Sequence, residues 1–157
     1  MTKYLTTRAA AFESNTGALD ASAITKLGTR AFDTEGSEWV YLLGVASTGA
    51  GNSVVFDENF ATTRIVANEV GPVAIAGAAI VASTYGWYQI WGVNAEADTD
   101  TVAADAACFI DDTAGRVDDA GVAGDWISGM WTMTADTSNV ATVMLSYPGI
   151  YNNGYLT

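Results

Sequence analysis

Nine of the chain's 18 acids fall between Glu96 and Asp125: Glu96, Asp98, Asp100, Asp105, Asp111, Asp112, Asp118, Asp119 and Asp125. Only Arg116 opposes them, so nine negative charges against one positive leave −8. Clustered carboxylates offer three kinds of chemistry. A pair can divide the acid and base roles of glycoside hydrolysis. Several together can collect Ca²⁺ or Mg²⁺ through oxygen. Singly, an Asp shapes a turn. Spacing favours the last, because Asp98-Thr99-Asp100 lacks the glycine and the closing Glu of an EF-hand loop. Asp98, Asp100, Asp111, Asp112, Asp118 and Asp119 are the metal candidates, and Ca²⁺ is the ion they would suit. Otherwise no cofactor is expected.

The remaining chemical inventory is thin. There is no histidine, which removes the commonest general base and zinc ligand. Lys3 and Lys26 are the only lysines. Cys108 is the only cysteine, set in the apolar run Ala106-Ala107-Cys108-Phe109-Ile110, and reads as a small buried residue. No phosphate-binding glycine loop and no G-x-S-x-G elbow occur. No catalytic residue is therefore assigned, and an enzyme is not expected.

The net charge of −12 is unevenly spread. Residues 1–37 balance Lys3, Arg8, Lys26 and Arg30 against Glu13, Asp20, Asp33 and Glu35. The rest carries 14 acids against Arg64 and Arg116, the whole −12. Nucleic-acid binding needs basic residues for phosphate, so neither nucleic acid nor an anionic membrane is an expected partner. Charged residues are only 15% of the chain and hydrophobic ones 50%. A surface so short of charge is either compact or partly covered by other subunits. The N-terminus lacks the apolar stretch of a signal peptide, and synthesis in a cytoplasm is the expectation.

The elements that must position these residues read as β-strands. From residue 38 onward, short aromatic and β-branched runs alternate with Gly, Asn, Asp and Ser. Trp39 to Leu43, Val54 to Phe56, Thr62 to Ala67 and Cys108 to Ile110 read as strands. Val73 to Ala82 is ambiguous between strand and helix. Trp87 to Val93 places Trp87, Gln89, Trp91 and Val93 on one face. Trp126 to Thr132 places Ile127, Gly129 and Trp131 together, with Met133 continuing. Val140 to Tyr147 groups Ala141, Val143, Leu145 and Tyr147. Apolar groups on both faces suit a small β-sandwich or barrel. Residues 1–37 lack an apolar period and read as an extended N-terminal arm with marginal helix near Ala9 to Ala11 and Ala18 to Leu27. The expected organisation is an arm over 1–37 and a β-rich body with a C-terminal tail over 38–157. Trp87, Trp91, Trp126 and Trp131, with the arm's Lys3, Arg8, Lys26 and Arg30, are the candidate contacts to partners or sister copies.

The order of segments resembles a known family. Leu27-Gly28-Thr29, Asp33 to Gly36, Trp39-Val40-Tyr41 and Gly51 to Asp57 are similar to the opening of tailed-phage capsid decoration (cement) proteins of the marine-phage type. Val70-Gly71-Pro72-Val73-Ala74 followed by Tyr85-Gly86-Trp87-Tyr88-Gln89-Ile90-Trp91-Gly92 is similar to a paired strand block of that group. Gly115-Arg116-Val117 and Val143 to Pro148 complete a likeness covering residues 27–148. The resemblance implies a β-tulip-like body, usually a homotrimer, on the outer capsid surface. There it would bridge major capsid subunits, without an active site. The long N-terminal segment departs from the smallest members and leaves the docking position open. The alternatives are a receptor- or glycan-binding tip of a phage fibre, using exposed Trp and Tyr, and a minor tail or virion scaffold component.

Overall fold

A computed structural model describes residues 4–7, 10–15 and 17–151. It holds twelve strands: β1 (Tyr4–Thr7), β2 (Ala10–Asn15), β3 (Arg30–Asp33), β4 (Glu38–Leu43), β5 (Ser53–Phe56), β6 (Thr62–Arg64), β7 (Gly71–Ala76), β8 (Tyr85–Asp98), β9 (Ala107–Ile110), β10 (Val117–Asp118), β11 (Trp126–Thr132) and β12 (Val140–Ile150). No helix occurs among the described residues. The strands join into one antiparallel sheet in the order β10-β9-β11-β12-β7-β8-β4-β3-β1-β2, with β5 and β6 branching from β7. The sheet is all-β as expected and bends over itself without closing into a barrel.

Two long strands produce the bend by changing neighbours. The first half of β8 lies between β4 and β7, pairing Trp87 with Tyr41 and Gln89 with Ile75. From Trp91 onward β8 pairs with β12 instead, matching Val93 with Met144. Gly92 makes the change with φ +97, and a Cβ there would meet Ser37 Oγ at 2.7 Å. Only glycine tolerates both constraints cheaply. β12 likewise leaves β8 after Ser146 and ends against β7 at Gly149 and Ile150, while Gly149 stays paired with Ser128 of β11. Its entry from β11 is a two-residue turn, Thr137 to Val140, with Ser138 and Asn139 both at positive φ (56 and 64). That is the type I′ geometry whose twist matches a hairpin.

Three apolar clusters follow. The first gathers Val73 and Ile75 of β7 against Cys108, Ile127, Met130, Val143 and Leu145. The second packs Val40, Leu42, Ala74, Tyr88 and Ile90. The third stacks Ala31, Trp39, Tyr41 and Trp87 beneath Leu27 and Tyr85. Strands β4, β5 and β7 are thus apolar on both faces.

Several expectations need correction. The segment from 17 to 37 belongs to the folded body. Its β3 pairs with β4 at Ala31 and Trp39, Leu19 packs on the second cluster and Leu27 on the third. Asp20 exchanges two backbone hydrogen bonds with Tyr85 (3.0 and 2.9 Å), and its carboxylate accepts from Tyr41 Oη at 2.7 Å. A boundary at 37 would cut the β3–β4 hairpin. Ala18 to Leu27 forms turns and bends, not a helix, because its polar groups are spent on these tertiary bonds. Ala10 and Ala11 lie in β2, while Ala9 is outside the described residues, as are 152–157 of the tail. Val73 to Ala82 resolves as strand only to Ala76.

The face assignment in β11 also changes. Ile127 is fully buried while Trp131 is 42% exposed. A register shift lies between Ser128 and Met130, where Gly129 has φ +76. This bulge turns Met130 inward and Trp131 outward. Opposite it, Tyr147 has φ +49 and leaves the inward row of Ala141, Val143 and Leu145.

Candidate functional site

The acidic stretch is spread over strand ends and turns. Asp98 accepts from Arg116 Nε at 2.9 Å and from Asn52 Nδ2 at 2.7 Å. With its amide oriented to accept, Asn139 takes both Arg116 Nη groups at 3.1 Å. Asp111 Oδ1 accepts from the Thr113 amide at 2.8 Å, and Asp119 Oδ2 from the Ala103 amide at 2.8 Å. Asp125, buried, accepts from the Asn68 amide at 3.2 Å. Asp100 and Asp112 are exposed. Among the described residues no three potential ligands converge on a point where a metal ion would sit. Asp118 stands apart. Its Oδ1 is closed from water without a hydrogen-bond partner, and its carboxyl is pushed up to about 6, first by burial and then by Asp111.

The aromatic candidates divide. Trp87 is only 1% exposed, with its ring 5.0 Å from that of Tyr41, so it is core and not a contact. The face it shares with Trp39 and Tyr41 is the one Leu27 covers, and the register shift before Trp91 puts Trp91 and Val93 on the opposite face. Trp91 is half-buried and packs on Tyr147, with centroids 5.1 Å apart. Trp126 and Trp131 stand out from the sheet, 40% and 42% exposed.

Register shows what surrounds them. Directly paired residues share a face. Ala107 of β9 pairs with Trp131, Trp131 with Met144 of β12, and Met144 with Val93 of β8. Phe109 pairs with Trp126 in the same way. The outward side of β9, β11, β12 and the second half of β8 therefore presents one apolar face. It carries Phe109, Trp126, Trp131, Met144 and Val93, continued by Met133 and Val140. No outward position on β9, β11 or the stretches Trp91–Ala95 and Thr142–Ser146 is ionisable.

Each end of the face carries a matched ion pair. At one end stands Asp98 with Arg116. At the other, Glu38 is buried and accepts from Tyr147 Oη at 2.6 Å and from Arg30 Nη1 at 3.3 Å. Arg30 also lies 5.9 Å from the Tyr147 ring centroid. Arg30 is thus engaged within the body, while Lys26 is exposed. Lys3 and Arg8 are outside the described residues.

Sequence reasoning found Trp91, Trp126 and Trp131, with Val93 beside Trp91 and Met133 beyond Trp131, but missed Met144, Val140 and Tyr147 as their companions. The missing signal was Gly129: a glycine within a strand pattern marks a bulge, and the bulge decides which residues share a side. Compared with known protein families, curated proteins and solved structures, the chain matches none.

Proposed function

We propose that this chain is a non-enzymatic assembly subunit that decorates and stabilises the outer surface of a phage capsid by bridging major capsid subunits. One observation carries the reading. A four-strand face with two half-exposed tryptophans and no ionisable side chain at its central positions lies open on a molecule of net charge −12. Isolated exposed apolar residues are ordinary, but a contiguous apolar face is a feature of surfaces that meet other proteins. The first 16 residues add a second element. Lys3 and Arg8 against Glu13 leave +1, so the remaining chain carries −13. A basic leading segment suits an acidic neighbour.

The test is sedimentation with capsid shells. The Trp126→Ser/Trp131→Ser double variant should bind at least ~10-fold more weakly than wild type, since tryptophans dominate interface energy. Equal binding by a folded double variant overturns the role of this face. The leading segment is tested by a chain starting at residue 17, because a cut at 37 also strips Leu19, Leu27 and Ala31 from the cores. The two indoles on a flat sheet also fit sugar rings, which is the second reading. A glycan array run with and without chelator separates it.

A further inference from the structure

We infer that the occupant of the open face is a second copy of this chain, meeting it about a two-fold axis. This rests on the reading of that face as a docking surface and names its partner. Three features of the face point to its own likeness.

The first is shape. Along β11 the outward side chains run Trp126, Ser128, Trp131, with the Gly129 bulge between the indoles. Ser146 of β12 lies beside that bulge, its carbonyl oxygen 2.6 Å from where a Gly129 Cβ would stand. Ser128, Gly129 and Ser146 thus form a low notch between two projecting rings. A surface that carries both ridge and notch can mate with itself when one copy is turned about a two-fold axis, each indole entering the other's notch.

The second is charge. Almost any other pairing of two such copies brings acidic surfaces together. This face has no outward ionisable group on its central positions, and the ion pairs Asp98–Arg116 and Glu38–Arg30 neutralise its two ends. Two copies can therefore meet over these central positions without like charges in contact, with Asp118 of β10, paired with Phe109, left at the edge. A basic partner would find nothing to pair with at the centre.

The third is extent. Four strands at ~4.8 Å spacing and about six residues at ~3.3 Å rise span roughly 19 by 20 Å, about 380 Å² a side and roughly half the standard ~800 Å² per partner. The association should accordingly be weak and governed by the repulsion between acidic bodies.

That gives it a distinctive signature: self-association should strengthen with salt, the opposite of charge-complementary docking. The experiment is sedimentation equilibrium of the full chain without any shell, at 50 mM and 1 M NaCl. The expected result is a monomer–dimer equilibrium whose association constant rises at least ~10-fold across that range as screening shortens the reach of the charges. Ser128→Arg, which fills and charges the notch, and Trp131→Ser should each abolish the gain while the circular dichroism spectrum stays that of wild type. A chain monomeric at both salt concentrations that still binds shells through Trp126 and Trp131 overturns the self-pairing and leaves the docking reading intact. A salt-strengthened dimer unaffected by both folded variants places the contact elsewhere and also overturns it. A monomer that ignores shells overturns both.

Discussion

Asp118 sits where burial and like charge act together against ionisation. Its Oδ1 has no donor, Asp111, Asp119 and Asp100 surround it, and its carboxyl titrates near 6. Because the folded-state value lies above the unfolded one, the folded protein holds this proton more tightly than the unfolded chain. The contribution to stability is therefore fully present below about pH 4 and lost as pH rises through 6. Asp118→Asn removes the penalty at neutral pH. Urea unfolding at pH 7.5 should show the variant more stable by about 1 kcal/mol, discounted for the partly exposed carboxylate. At pH 4 the difference should vanish. A variant no more stable at pH 7.5 means that the orphan oxygen is satisfied in solution. The lone thiol makes the opposite point. Cys108 is fully buried and pushed up to about 12 by burial and by Asp119 and Asp118, so it packs as an apolar residue, as its apolar run suggested.

At the scale of elements, bulges decide what the strands display. Gly129→Ala would place a Cβ 2.6 Å from the Ser146 carbonyl at φ +76. Unfolding should show a loss of about 2–3 kcal/mol, and the exposure of Trp131 should change in its fluorescence. A loss below about 0.5 kcal/mol would mean that the bulge is adaptable. This is also where reading the sequence reached its limit. The strands around Trp39, Val54, Trp87, Trp126 and Val140 were legible because β-branched and aromatic residues alternate between turn formers. The arm was not. Residues 18–33 show no apolar period, and the three that anchor them, Leu19, Leu27 and Ala31, do so through contacts distant in sequence, which no local pattern reveals. Trp87 and Trp131 were equally plausible contacts for a related reason. A strand's period gives two faces, but which face is covered depends on a segment nearly sixty residues upstream of Trp87 and on a one-residue bulge beside Trp131.

At the scale of the whole molecule, the arrangement separates charge from contact. Most of the acids occupy turns and strand ends, two of the arginines are tied into ion pairs at the rim of one sheet face, and the centre of that face is left apolar. A body built this way stays apart from its copies at most orientations and meets a partner at one. Footprinting by tryptophan oxidation tests that claim most directly, comparing the free chain at low salt with the chain in its assembled state. Trp126 and Trp131 should react readily when free and be protected at least ~5-fold on assembly, in keeping with their place at the desolvated centre of an interface. Trp39 and Trp87, both nearly sealed from solvent, should stay unreactive in either state. Equal oxidation of Trp126 and Trp131 in the free and assembled states would contradict it.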